Sequence, residues 1–553
     1  MTLDLVIKSG RIIDGSGNPW FRGDVGVKGG VIVKIGSLTT EGAEKTVEAK
    51  DLAVTPGFID IHSHADTALL ANPKAESIVM QGITTTCIGN CGLSAAPVRD
   101  PTKQSLKRYL SAFMPVSEVE WHTLGDFLSR LERQGTACNV AALVGHGTVR
   151  VAVMGFEARP PERKEMEEMK RLIAQSMEEG AFGVSTGLAY APGFFSTTEE
   201  VVELCGVVAR YGGIYATHIR SDGETYGESV KEAIEVSERS GVPLQISHIE
   251  SHYPNWGKAS EALGVVDAAR ERGIDVSCDV PPYLLGMTML TTLLPDWAQE
   301  GGFPRMIERL SSPKDREEMR KSLSAKGQRH VMASASLAAD GHWDKIWIAE
   351  SEKNPDLVGK NLEEASRLRG EAPHDAVFDL LQEEGKNIKI LCEFHDEEDL
   401  RRVVKHPTSM IVSDESAYAA REASQRGRTH PRAYGAFPMT LRKYVRGETR
   451  REMPEELGES ILAIQEAVRK MTSLPAQRLG LRDRGMIREG MWADLVVFDP
   501  ETIGDEATYQ NPHRYPRGIE YVFVNGVAVV ERDEHTGALP GKVLRGPGYL
   551  TQL

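Results

Sequence analysis

Long apolar runs are missing from this 553-residue chain, and with them any stretch of the roughly 20 residues needed to span a bilayer. Cysteine is scarce. Cys87, Cys91, Cys138, Cys205, Cys278 and Cys392 are spread over the whole length, too scattered for a disulfide framework, so reduced thiols are expected and one is free to act as a ligand. Blocks of one charge are also lacking. The net charge of −15 is carried by interspersed acidic and basic residues, which favours solubility and gives no support to nucleic acid or an anionic membrane as partner. The opening Met1-Thr2-Leu3-Asp4-Leu5 has no basic segment followed by an apolar one, so no signal peptide is expected and a cytoplasmic location is the expectation. With 41% hydrophobic and 26% charged residues, the chain reads as a globular protein of two or three domains.

What is present centres on Thr55-Pro56-Gly57-Phe58-Ile59-Asp60-Ile61-His62-Ser63-His64-Ala65-Asp66. Phe58, Ile59 and Ile61 supply a buried strand, and Asp60, His62 and His64 recur at every second position, hence on one face. Two imidazoles and a carboxylate inside an apolar context must be hydrogen-bonded or bound to a metal.

Before it, Leu5-Val6-Ile7-Lys8, Arg11-Ile12-Ile13 and Val31-Ile32-Val33-Lys34-Ile35 read as short strands with glycine turns. Asp494 to Asp499 and Tyr521 to Val530 have the same look. The expectation is one discontinuous β-sandwich domain built from residues 1–54 and 481–553, around a catalytic unit at 55–480.

Within that unit strand-like runs alternate with amphipathic helices, such as Glu162 to Glu179 and Gly223 to Ser240, in about eight units. This predicts an α/β fold of the (β/α)8 barrel type, with an open doubly wound sheet as the alternative. Polar residues gather where strands end: His62 and His64, Cys91, His146, His218, His248 and Asp414. Barrel enzymes place their chemistry there. Residues 284–346 break the repeat and read as an insertion over the barrel mouth, a candidate lid.

Pro56-Gly57-Phe58-Ile59-Asp60-Ile61-His62-Ser63-His64, Gly82-Ile83-Thr84-Thr85, Gly89-Asn90-Cys91-Gly92, Ala216-Thr217-His218-Ile219-Arg220, Ile246-Ser247-His248 and Ser413-Asp414 resemble the amidohydrolase superfamily, and within it the D-aminoacylase (N-acyl-D-amino-acid deacylase) family. His-x-His is common to the superfamily; Gly-Asn-Cys-Gly narrows the likeness. The resemblance covers nearly the whole chain. It implies Zn²⁺, one ion tightly bound by Cys91, His218 and His248, and a second position, weakly filled or empty, beside His62, His64 and Asp414. Asp60 would steady the histidines from behind, and Asp414 would be the general base and acid.

Arg432 and Tyr283 match positions that hold the substrate α-carboxylate in the family. The third does not: Glu250 stands where the family usually has Lys. A carboxylate there repels a substrate carboxylate and suits an amine, unless it pairs with Arg220 or is offset by His252 or Lys258. Tyr190 and His146 are further candidates for the pocket wall. The resemblance thus implies a small-molecule N-acylated substrate, with a homo-oligomer left open. Two alternatives stand beside deacylation: hydrolysis of another C–N bond, in a dipeptide or cyclic amide, and a metal-binding homologue without turnover.

Overall fold

The computed structural model describes residues 2–38, 42–111, 118–324, 330–420, 427–450 and 456–550. Its centre is a ring of parallel strands: β1 (Phe58–Asp60), β2 (Ile83–Ile88), β3 (Asn139–Ala142 and Val144–Gly145, broken at Leu143), β4 (Gly183–Gly187), β5 (Ile214–His218), β6 (Leu244–Ile246), β7 (Val276–Val280) and β8 (Ser409–Ile411). Each pairs in parallel with the next. β8 returns to β1 just beyond the strand ends, where Asp414 N donates to His62 O at 2.9 Å and His64 N to Glu415 O at 2.8 Å. The eight strands therefore surround a core that includes Ile59, Cys87, Ala141, Leu143, Ala216 and Met410.

The outer helices form because their apolar residues recur at helical spacing. Arg163–Glu178 buries Met166, Met169, Leu172, Ile173 and Met177, and opens with a reciprocal cap between Glu162 and Glu165. Tyr226–Ser240 ends at Gly241, whose φ of 74° is left-handed, a conformation that glycine adopts without steric cost.

Both ends of the chain enter one nine-stranded sheet. Leu495–Phe498 pairs antiparallel with Ala53–Pro56, and Leu3–Ile12 is shared by Phe21–Lys28, Ala43–Glu48 and Ala53–Pro56. That fork encloses a core of Leu5, Ile7, Val25, Ile32, Leu495, Val497 and Phe523. Each such buried aliphatic side chain contributes about 2 kcal/mol relative to exposure, and the core draws on residues nearly the full length of the chain apart.

Between β7 and β8 the chain builds an antiparallel sheet of Leu285–Met289, Lys389–Glu393 and Ile346–Ile348. Helices including Gly302–Leu310, Leu362–Arg369 and Pro373–Glu384 pack on it, around a separate core that runs from Leu290 to Phe394. The inserted unit thus continues past residue 346, because its last strand pairs with its first.

Candidate metal centre and pocket

The ends of the barrel strands converge on Cys91. Its Sγ lies 3.2 Å from Nε2 of His62 and 3.8 Å from Nε2 of His248. Donor atoms of Cys91, His218 and His248 lie within 4.8 Å of one another, and so do those of His62, His64, Cys91 and Asp414. One thiol therefore belongs to two adjoining donor sets. Asp414 Oδ1 is 3.1 Å from His62 Nε2 and 3.2 Å from His64 Nε2, while Oδ2 is 2.8 Å from Arg432 Nη1.

Backbone strain and glycine contacts hold this arrangement. Cys91, His248 and Asp414 have φ of 51°, 35° and 51°, a left-handed region that costs a non-glycine residue energy and is kept where the surroundings enforce it. The surroundings of Cys91 do so. A side chain at Gly187 would collide with the Cys91 carbonyl, and one at Gly145 with the Gly92 carbonyl. Gly92 N donates to Ser185 Oγ at 3.0 Å, and Asn90 Nδ2 donates to Cys87 O at 3.0 Å and Ile61 O at 3.3 Å. Gly-Asn-Cys-Gly is thus a loop whose glycines admit neighbouring backbone and whose asparagine ties it to β1.

Asp60 does not face the histidine rings. It accepts from Ser413 N at 3.1 Å and His62 N at 3.3 Å, and its other oxygen accepts from Ser413 Oγ. The carboxylate that meets the His62 ring is Asp279, at the end of β7: Oδ1 lies 3.2 Å from His62 Nδ1 and accepts from the His248 backbone N at 2.8 Å, while Oδ2 accepts from Gln245 Nε2 at 2.8 Å. Sequence reasoning passed over Asp279, although it occupies a strand end like the other site residues.

Without a metal, the donors form a mutually charged thiolate–imidazolium cluster. Burial alone would raise the Cys91 thiol, but the imidazoles of His62, His218 and His248 hold it well below its usual range, as a ligating thiolate requires. Burial and the neighbouring His248 lower His218. Burial opposes charging of His248, yet the Cys91 thiolate carries it up to about 9. Burial likewise opposes ionisation of Asp414, but Arg432 and His62 hold it well below the ordinary carboxylate range.

A small cavity of about 40 Å³ opens on these groups and is lined by Tyr190, His218, His248, Glu250, Asp414 and Arg432, among others. A larger one of about 360 Å³, walled by Phe156, Met289, Leu294, Trp297 and Phe303, shares Tyr190 and Met332 with it. Tyr190 packs on the His218 ring with centroids 4.6 Å apart.

Other expected pocket residues lie elsewhere. His146 is buried beyond the pocket, with Nε2 2.8 Å from Glu200, which also binds Arg150; its strand-end position leads into a helix instead of the cavity. The Tyr283 ring packs on His430 and Tyr509, and its hydroxyl lies beside Gly435. Only its carbonyl serves the site, accepting from His395 Nδ1 at 3.0 Å. Arg220 pairs with Glu232 at 2.8 Å, not with Glu250. Lys258 donates to Asn255 and is not among the lining residues. Glu250 is 1% exposed, neither of its carboxylate oxygens has a hydrogen-bond partner, and burial pushes it up to about 8. Near it stand His395, with Nε2 4.0 Å away, and the pair of His252 and Asp222 at 3.2 Å.

A model of the amidohydrolase family matches residues 45–404 and 431–530. The chain belongs to that family. Within it, this amidohydrolase groups with the D-aminoacylases. It is 34% identical to the D-aminoacylase of Alcaligenes xylosoxydans xylosoxydans over 98% of this chain and 97% of that one. To the N-acyl-D-glutamate deacylase of the same organism it is 34% identical, over 98% and 96%. Among solved structures it matches the N-acyl-D-glutamate deacylase of Bordetella bronchiseptica, complexed with zinc and a phosphonate mimic of the tetrahedral intermediate, with a TM-score of 0.80 and 31% identity over 99% and 100% of the two chains. The amidohydrolase is thus a metal-dependent enzyme of carbon–nitrogen bonds other than peptide bonds, on the amidohydrolase barrel.

Proposed function

We propose that this amidohydrolase deacylates N-acyl-D-amino acids, hydrolysing a linear amide to a carboxylate and a D-amino acid, with one zinc ion held tightly by Cys91, His218 and His248. The observation that carries the reading is the position of Cys91 between two donor sets, with Asp414 in one of them. The donors suit zinc, which takes thiolate and imidazole together. Neither ring nitrogen of buried His218 has a hydrogen-bond partner, a costly state that a metal bond relieves. His62, His64 and Asp414 provide a second, weaker position. When bound, zinc polarises the amide carbonyl and acidifies water at neutral pH.

The chain supplies the proton transfers. Asp414, ionised at neutral pH, takes the proton of the water that attacks the acyl carbon, then delivers it to the amide nitrogen as the carbon–nitrogen bond breaks. An amide nitrogen leaves only once protonated, so one carboxylate serves both steps. Arg432 fixes Asp414 in place, and Asp279 fixes His62 and His248. The smaller pocket, lined by Asp414, Arg432 and Glu250, receives the scissile amide and the amine half, and the acyl chain extends past Tyr190 and Met332 into the larger cavity. The inserted unit at Leu284–Phe394 covers the mouth as a lid, and the small substrate is the partner this site requires.

Assaying the zinc-loaded protein against N-acetyl-D- and N-acetyl-L-amino acids, with acyl chains of increasing length, tests the reading. Turnover confined to L-substrates, or to cyclic amides, overturns it.

A further inference from the structure

The charge balance of the pocket departs from what an anionic amino acid requires. Three carboxylates line it, Asp222, Glu250 and Asp414, against one guanidinium, Arg432, and no lysine among the described lining residues. That guanidinium is partly engaged: Nη1 is 2.8 Å from Asp414, while Nε, 3.7 Å from Glu415, makes no hydrogen bond. Glu250 is the opposite case. Its carboxylate is buried, faces the cavity, and has no hydrogen-bond partner on either oxygen. His395 Nε2 lies 4.0 Å from it and is likewise unpartnered, while His395 Nδ1 faces the Tyr283 carbonyl. A buried carboxyl group and an adjacent ring nitrogen, both unpartnered, are a costly arrangement that a ligand donor relieves, and an incoming cation favours the ionised carboxylate.

We infer that Glu250 and His395 form a subsite for a positively charged side chain on the amine half of the substrate, so that the amidohydrolase prefers N-acyl-D-amino acids bearing an ammonium or guanidinium group. This rests on the deacylase reading and specifies its substrate. A neutral or acidic side chain leaves Glu250 unpaired, and sites built around a buried polar group discriminate strongly against ligands that fail to satisfy it. Arg432 Nε, which has no hydrogen-bond partner, is the donor left for the α-carboxylate.

The test measures kcat/KM for N-acetyl-D-lysine, N-acetyl-D-arginine, N-acetyl-D-leucine and N-acetyl-D-glutamate with wild type, Glu250→Gln and Glu250→Lys, each zinc-loaded and checked for metal content. The expected wild-type ratio of basic to acidic substrate is 100-fold or more. Glu250→Gln is expected to reduce that ratio at least tenfold, and Glu250→Lys to invert it. Isothermal titration with free D-lysine, weakened in Glu250→Gln, gives a binding readout that does not depend on turnover. Preference for N-acetyl-D-glutamate in the wild type, or a ratio unmoved by Glu250→Gln, overturns the inference while leaving deacylation standing. Absence of hydrolysis of every substrate by the zinc-loaded wild type overturns the deacylase reading beneath it.

Discussion

Asp414 Oδ1 lies 3.1 Å from Nε2 of His62, the same residue whose carbonyl accepts the Asp414 amide at 2.9 Å. The contact that returns the last barrel strand to the first is therefore also the contact that brings the Asp414 carboxylate to the histidines. Closure of the fold and assembly of the site are one event, and several expectations rest on it.

Replacing Asp414 by Asn keeps the shape and removes the proton acceptor. The variant is expected to bind zinc at wild-type stoichiometry and lose about 10²- to 10⁴-fold in kcat, the span of general acid–base catalysis. Steady-state kinetics with metal analysis on the same sample checks both halves. Full activity in Asp414→Asn removes the carboxylate from the mechanism.

Zinc retention should separate the two donor sets. Cys91→Ala removes the thiolate common to both and is expected to yield protein with no tightly held zinc after dialysis against a chelator. His64→Asn, which belongs only to the donor set of the proposed second position, is expected to retain one equivalent. Atomic absorption after dialysis reads the difference, and the reverse order shows that the tight site is the His62–His64 one.

Asp279→Asn tests orientation. Asp279 touches His62 Nδ1 and the His248 amide, and loss of such an outer partner typically costs 10- to 100-fold in metal affinity or activity. Isothermal titration of the metal-free variant with zinc should show weaker binding of that order. Unchanged affinity shows that Asp279 is a packing residue.

Lys470 gives a pH signature remote from the site. It is 0% exposed, donates to Ser409 O at 3.1 Å and to His406 O, and burial lowers it from 10.5 to about 8. Between about pH 8 and 10.5 the unfolded chain binds the proton that the folded chain has released, so unfolding becomes harder as pH rises. Below that window the penalty for burying the charge is felt in full, on the order of 3 kcal/mol. Denaturant melts of wild type and Lys470→Met across that range should therefore diverge in favour of wild type as pH rises. Parallel curves contradict the assignment.

Much of the site was legible because catalysis on a barrel leaves local marks. His62 and His64 alternate on a strand, and Cys91 stands between glycines, so the need for a metal-facing strand and a backbone-tight loop is visible in adjacent residues. Glu250 was visible as an oddity, but its lack of a partner was not: Arg220 turned out to be occupied by Glu232. Asp279 and His395 escaped notice because their roles are relations between strands and loops distant in the chain. Tyr283 and His146 occupy strand ends yet point their polar atoms elsewhere, since position along a strand does not fix side-chain direction in the loop beyond it. The inserted unit was underestimated because its first and last strands, Leu285–Met289 and Lys389–Glu393, are separated by about a hundred residues of helix-rich chain.

By itself the sequence determined the barrel class, the pairing of the chain's two ends and the donor types, because hydrophobic period, glycine position and ligand chemistry are local properties. Tertiary structure alone decided which donors share Cys91, that Asp279 and not Asp60 meets the His62 ring, and that Glu250 is buried without a hydrogen-bond partner. Those are distances between segments hundreds of residues apart, set by ring closure and burial, and no local pattern encodes them.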